Sequence, residues 1–134
     1  MTFTHVSVLG TGVLGAQIAF HTAYSGFQVT AYDIDDIAIE RAKRSFLGLA
    51  SRYLKEVPEA STFKVEAALS RLQYTTELSV AAENADLIIE AIPEKLDLKR
   101  EIYSALANVA PAHTIFASNS STLLPSAMAD ASGR

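Results

Sequence analysis

A doubly wound α/β fold, with a mainly parallel sheet and a helical hairpin inserted after the second strand, is what this sequence predicts. Three observations lead there. Short apolar runs alternate with segments of helical periodicity along the chain, and a parallel sheet covered by helices on both faces is the architecture that buries both kinds of segment. Glycines stand at positions 10, 12 and 15, directly after the first apolar run. The second apolar run ends in an acid, Asp33.

The elements follow in order. His5 to Leu9 reads as a short buried strand, Val13 to about Ser25 as a helix stopped by Gly26, and Gln28 to Tyr32 as the second strand. From Asp36 to Glu56 the apolar residues Ala42, Phe46, Leu49 and Tyr53 share one helical face while Arg41, Arg44, Arg52 and Lys55 share another, and Pro58 closes the segment. Thr62 to Leu69 predicts a helix turning back on the long one. Leu72 to Thr75, Asp86 to Ile92 and Thr114 to Ala117 then read as strands, with helices at about Ser79 to Glu83 and Leu96 to Val109 between them and a last helix opening near Leu123.

Composition narrows the class of function. At 134 residues, with 49% apolar and 19% charged side chains, the chain predicts one domain, 1–134, with a filled core. A net charge of −4 speaks against general attraction to nucleic acid or anionic lipid. No cysteine is present and three scattered histidines form no ligand cluster, so no metal site is expected. The N-terminus lacks signal-peptide character and no apolar run reaches the ~18 residues of a membrane span. The expectation is a cytoplasmic protein with small-molecule partners.

The glycine turn carries the chemistry. A strand that turns tightly into a helix presents free N–H groups and the positive end of the helix dipole, a seat for pyrophosphate. Gly10 permits the turn, Gly12 lets the phosphates approach the backbone with no Cβ between, and Gly15 lets the helix pack closely on the strand, with Val13 and Leu14 opening that helix. Asp33 is placed to accept hydrogen bonds from an adenosine ribose. Its alternative use is as a helix N-cap, which Asp35 or Asp36 would serve as well. No Arg or Lys lies between Asp33 and Glu40, so nothing nearby is expected to welcome a 2′-phosphate, Asp33 itself would repel one, and NAD is expected over NADP. The whole is a Rossmann-type arrangement. An S-adenosylmethionine loop would instead read G-x-G-x-G after an acidic residue, which this turn does not.

The segments VSVLGTGVLGAQIA, VTAYDID, ADLIIEAIPEKLDLKREIY and TIFASNSSTL, in this order, resemble the N-terminal domain of L-3-hydroxyacyl-CoA dehydrogenases, including 3-hydroxybutyryl-CoA dehydrogenases. The resemblance spans nearly the whole chain, and its most specific parts are E-A-x-x-E-x-x-x-x-K, from Glu90 to Lys99, and S-N-[TS]-S, from Ser118 to Ser121. It implies oxidation of a 3-hydroxyacyl-CoA to the 3-oxo compound, with hydride passed to NAD. It further implies that Glu94 and Lys99 meet the cofactor on its nicotinamide side, that Asn119 stands beside it, and that Ser121 hydrogen-bonds the substrate oxygen. Read as residues alone, Glu94 and Lys99 are a pair of solvated charges at a helix start, and SNSST is a polar turn in which Ser121 or Thr122 caps a helix. Lys55 matches a CoA-contacting lysine of the family, while Gly48 stands where a family serine would be. A solvated helix face explains the same cations equally well.

The family's catalytic His, held by a Glu, follows the S-N-[TS]-S helix in relatives, and this sequence stops before it. His5 and His113 begin strands and so belong to the sheet edge opposite the cofactor, and His21 lies well along the first helix. The expectation is therefore a cofactor domain cut from a larger enzyme, whose helical domain, absent here, would close over acyl-CoA and form a homodimer. By itself the chain is expected to bind NAD without turnover. Other dehydrogenases of β-hydroxyacids or sugar nucleotides, and a non-catalytic NAD-sensing or scaffold module, are the competing readings.

Overall fold

The computed structural model describes residues 4–92 and 95–118, leaving the side chain of Leu96 aside. Five parallel strands, β1 (His5–Leu9), β2 (Gln28–Tyr32), β3 (Leu72–Thr75), β4 (Leu87–Glu90) and β5 (Ile115–Ser118), form one sheet in the order β3-β2-β1-β4-β5. The expected fold class is the observed one. Helix α1 (Val13–Tyr24) links β1 to β2, and the hairpin of α2 (Asp36–Glu56) and α3 (Thr62–Ser70) fills the passage from β2 to β3. From β3 the chain returns through α4 (Leu78–Ala82) to β4, and then through α5 (Leu96–Val109) to β5.

The two-residue period of the strands divides the core into two layers. Val6, Val8, Val29, Ala31 and Leu72 pack against Phe20 of α1, Phe46 of α2 and Val65 of α3. Leu9, Tyr32 and Ile88 face α4 and α5 instead, meeting Ala81, Tyr103 and Leu106. Small residues let α1 sit close to the sheet, because Ala16, Ala19 and Ala23 recur at helical spacing and are buried. The hairpin helices have the caps their sequences call for: Asp35 accepts from the Ala38 N–H at 2.8 Å and Ser61 from the Lys64 N–H at 3.2 Å. Arg71, at the end of α3, reaches the Ala23 carbonyl at the end of α1 with a 2.8 Å hydrogen bond. Gly26, at φ +111°, makes the left-handed turn after α1.

The fourth strand is shorter than the expected Asp86 to Ile92. Its ladder stops because the Ile92 N–H turns to the Glu90 carboxylate at 2.8 Å instead of to a neighbouring strand. Other boundaries move by a residue, as frayed ends do. The expected last helix near Leu123 falls outside the described residues.

Candidate functional site

β1 stands between β2 and β4, because the chain winds one way from β1 through β2 to β3 and then crosses back over β1 to β4 and β5. This is the switch point at which open parallel sheets form a crevice at the carboxyl ends of their strands. Two connected hollows lie there. One, of 470 Å³, is bounded by the glycine turn, Tyr32, Asp33, Ala91, Ile92, Leu98 and Ile102. The other, of 320 Å³, shares Thr11, Gly12, Val13, Asp33 and Ile34 with it and extends over Ala38, Arg41 and Ser45 of α2.

Each glycine has a distinct steric reason. Gly10 holds φ +98°, and a Cβ there would stand 2.7 Å from the Ala91 carbonyl oxygen. Even an alanine must therefore move the end of β4. At Gly15 a Cβ would lie 2.0 Å from the carbonyl oxygen of Gly10, so the first turn of α1 rests on the turn that precedes it. Gly12 is different: a Cβ would meet nothing within 4 Å. The fold has no need of a glycine at that position, and the room it leaves belongs to the cleft. Gly12 is also the N-cap of α1 and supplies no side-chain bond to the helix. The first-turn N–H groups, which no helical carbonyl can reach, are left to whatever enters. Val13 and Leu14 beside them are 82% and 51% exposed. The cradle thus fits a pyrophosphate, with apolar surface flanking it.

Asp33 closes the other side of this cradle. Its Oδ2 accepts the Thr11 N–H at 2.9 Å and the Thr11 hydroxyl, and its Oδ1 accepts the Ile34 N–H at 2.8 Å. Asp35 caps α2, so Asp33 is not the cap and keeps lone pairs for a ligand. Sequence reasoning missed Thr11, whose buried side chain fixes the Asp33 rotamer. It also counted cations only along the chain. Folding brings Arg41 into the hollow that Asp33 lines, which corrects the expectation that no cation stands near; the expected preference for NAD over NADP is left to the Asp33 carboxylate alone.

At the ends of β4 and β5 is a second feature that the sequence did not reveal. Glu90 and Lys99 are 1% and 0% exposed, with their charged groups 3.0 Å apart. Glu90 also accepts the Ser118 hydroxyl at 2.7 Å, and Ser118 in turn bonds to Tyr103. Burial and the nearby Glu90 charge push the Tyr103 hydroxyl up to about 12. Lys99 is therefore no solvated helix charge. Its expected partner Glu94 lies outside the described residues, as do Asn119 and Ser121.

The remaining predicted residues are placed as follows. Lys55 is exposed in the last turn of α2, and Arg52 beside it pairs with Glu56 at 3.6 Å. His5 and His113 do lie at the opposite edge of the sheet, gathered by Asp86: the His5 N–H donates to Asp86 at 3.1 Å and the His113 ring stands 3.2 Å from it. His21 Nδ1 is 2.8 Å from the Tyr53 hydroxyl, between α1 and α2. Among the described residues no helix is long and apolar enough to cross a membrane.

Comparison with known proteins bears on this arrangement. The family model described as "3-hydroxyacyl-CoA dehydrogenase, NAD binding domain" matches residues 5–134. The mitochondrial hydroxyacyl-coenzyme A dehydrogenase of Rattus norvegicus is 37% identical over 97% of this chain and 43% of its own length. Among solved structures, a diketoreductase described in the dual catalysis of dicarbonyl compounds superposes with a TM-score of 0.96 at 56% identity, covering 100% of this chain and 48% of that one. The 3-hydroxybutyryl-CoA dehydrogenase of Escherichia coli K12 gives 0.89 at 32% identity, over 96% of this chain and 27% of that one. The chain thus spans less than half the length of these relatives.

Proposed function

This chain belongs to the 3-hydroxyacyl-CoA dehydrogenase family, of which it carries the NAD-binding domain, and from that premise we propose that it is the cofactor half of an enzyme interconverting L-3-hydroxyacyl-CoA and 3-oxoacyl-CoA. The observation that carries the reading is the cleft itself, in which a glycine turn with an open Gly12 faces an oriented Asp33. Bound NAD supplies the hydride acceptor. The chain's own residues do the rest of the work at this end. Asp33 takes the adenosine ribose, and the first-turn N–H groups of α1 take the pyrophosphate. Ala91, Ile92, Leu98 and Ile102 wall the side of the cleft away from Asp33 with apolar surface, which suits a nicotinamide ring and excludes water from it. Lys99 and Glu94 serve that end, with Lys99 held in place by Glu90.

Asn119 and Ser121 belong in the same proposal, Ser121 orienting the substrate oxygen and Asn119 standing by the nicotinamide. Oxidation also needs a base for the hydroxyl proton. None of the histidines here is placed for that role, so the base is proposed to come from a further helical domain, together with substrate closure and dimerisation. Lys55 is the proposed CoA contact, and a cytoplasmic site of action completes the reading, although the rat relative is named as mitochondrial.

The 56% identity to a diketoreductase favours a second reading, in which the substrate is a small dicarbonyl rather than a thioester. One assay separates the two. NADH oxidation by a longer protein carrying the downstream domain is followed with acetoacetyl-CoA and with a dicarbonyl compound free of CoA. A marked kcat/KM advantage for the thioester supports the first reading. An advantage for the CoA-free dicarbonyl compound overturns it in favour of the second, and NADH failing to bind residues 1–134 would remove both.

A further inference from the structure

Arg41 and Ser45, one turn apart on α2, line the 320 Å³ hollow together with Gly12 and Asp33. Of the other cations of the helical hairpin, Lys43 pairs with Glu40 at 3.3 Å, Arg52 with Glu56 at 3.6 Å, and Arg71 with the Ala23 carbonyl, while Arg44 lies outside the hollow. Among the described residues no hydrogen bond or ion pair holds the Arg41 guanidinium, although Glu40 is its neighbour. Asp33, in contrast, is fixed by three hydrogen bonds from Thr11 and Ile34. A rigid anion and an unengaged planar cation therefore line the same hollow, with the Ser45 hydroxyl one helical turn from the cation.

These two charges act in opposite directions on one substituent. A carboxylate that accepts ribose hydroxyls repels a phosphate placed on them, whereas a guanidinium binds a phosphate through two parallel N–H bonds. We propose that Arg41, assisted by Ser45, is the concealed half of a cofactor-specificity pair, and that Asp33 alone stands between this site and acceptance of a 2′-phosphorylated dinucleotide. The proposal rests on reading the cleft as a dinucleotide site. It differs from that reading in assigning Arg41 to the 2′ position, not to the pyrophosphate or the adenine ring, either of which NADH and NADPH share.

Calorimetry with NADH and NADPH on Asp33→Ala, alone and combined with Arg41→Ala, tests it. Asp33→Ala should weaken NADH about tenfold through lost charge-assisted bonds and strengthen NADPH about tenfold or more, so that the preference reverses. Adding Arg41→Ala should remove the NADPH gain while moving NADH by only about twofold. Adding Arg44→Ala, on the same helix but outside the hollow, should leave that gain in place. The NADPH affinity of Asp33→Ala should fall steeply with salt. Should Asp33→Ala misfold, Asp33→Asn, which keeps an acceptor for Thr11, carries the same comparison. Equal losses of both cofactors on removing Arg41, or an NADPH gain indifferent to Arg41, overturns the proposal while leaving the NAD site standing. If the wild-type chain binds no NADH, the dinucleotide reading itself is wrong, and the two failures are thereby distinguished.

Discussion

At the scale of single residues, three glycines that look alike in sequence are predicted to fail in different ways. Gly12→Val adds atoms where the fold has space, so thermal unfolding should report a loss within about 1 kcal/mol, the size of an N-cap preference. NADH affinity should nevertheless collapse, because the side chain fills the seat of the pyrophosphate. Undiminished binding would mean that the glycine turn serves only the fold. Gly15→Ala should do the reverse and unfold at a markedly lower temperature, since its Cβ would stand 2.0 Å from a backbone oxygen. The buried pair makes a third case. Lys99→Met leaves the Glu90 charge buried and alone, which should cost about 3–5 kcal/mol. Glu90→Gln added to Lys99→Met should recover most of that loss in denaturant titrations, because glutamine carries no charge while its oxygen accepts from the Ile92 N–H and its amide nitrogen donates to the Ser118 hydroxyl. A double variant no more stable than Lys99→Met would show that the pair contributes through packing rather than charge.

At the scale of elements, Asp86 holds the start of the sheet together. Its carboxylate receives the Thr4 and His5 N–H groups at 2.9 and 3.1 Å, with the His113 ring at 3.2 Å. The two backbone hydrogen bonds, and then the His113 and Thr4 side chains, hold its pKa down to about 2. A carboxyl that ionises more readily in the folded chain than in the unfolded one, where it titrates at about 3.9, stabilises the fold above that value. This contribution is lost as pH falls through about 2. Asp86→Asn should thus be less stable than wild type at neutral pH, and the two stability curves should converge between pH 4 and pH 2. Parallel curves would show that the aspartate is not the titrating link. The elements themselves were readable because each carries a local signal: Gly26 stops α1, Asp35 and Ser61 cap the hairpin helices, and Ser7 and Leu9 alternate with Val6 and Val8. The Glu90 network was not readable, for it joins residues of β4, α5 and β5 that approach only after folding. Lys99 shows why. A lysine near a helix start reads as solvated, and nothing in its neighbours announces a carboxylate from another element. Arg41 escaped for the same reason, being eight places from Asp33 in sequence yet in the same hollow.

For the molecule as a whole, residues 1–134 are expected to bind NADH and leave acetoacetyl-CoA unreduced. Loss of an acid–base group alone slows such a reaction by about 10²–10⁴, and loss of substrate positioning adds to it. A longer protein with the downstream domain should be active, and Ser121→Ala within it should lower kcat with little effect on NADH affinity. Sustained turnover by residues 1–134, free of contaminating enzyme, would show that the base lies within this chain after all. The central place of β1 carries one more consequence, in the order of biosynthesis. Val6 pairs with Val29 on one side and Leu87 on the other, and Gly10 packs against Ala91. The glycine turn is synthesised well before β4 and therefore waits for that later strand before its pocket has a second wall. A loop of that length closes slowly, and until it does the nascent chain exposes Leu9 and Val8 to chaperones and to other unfinished copies rather than to a cofactor.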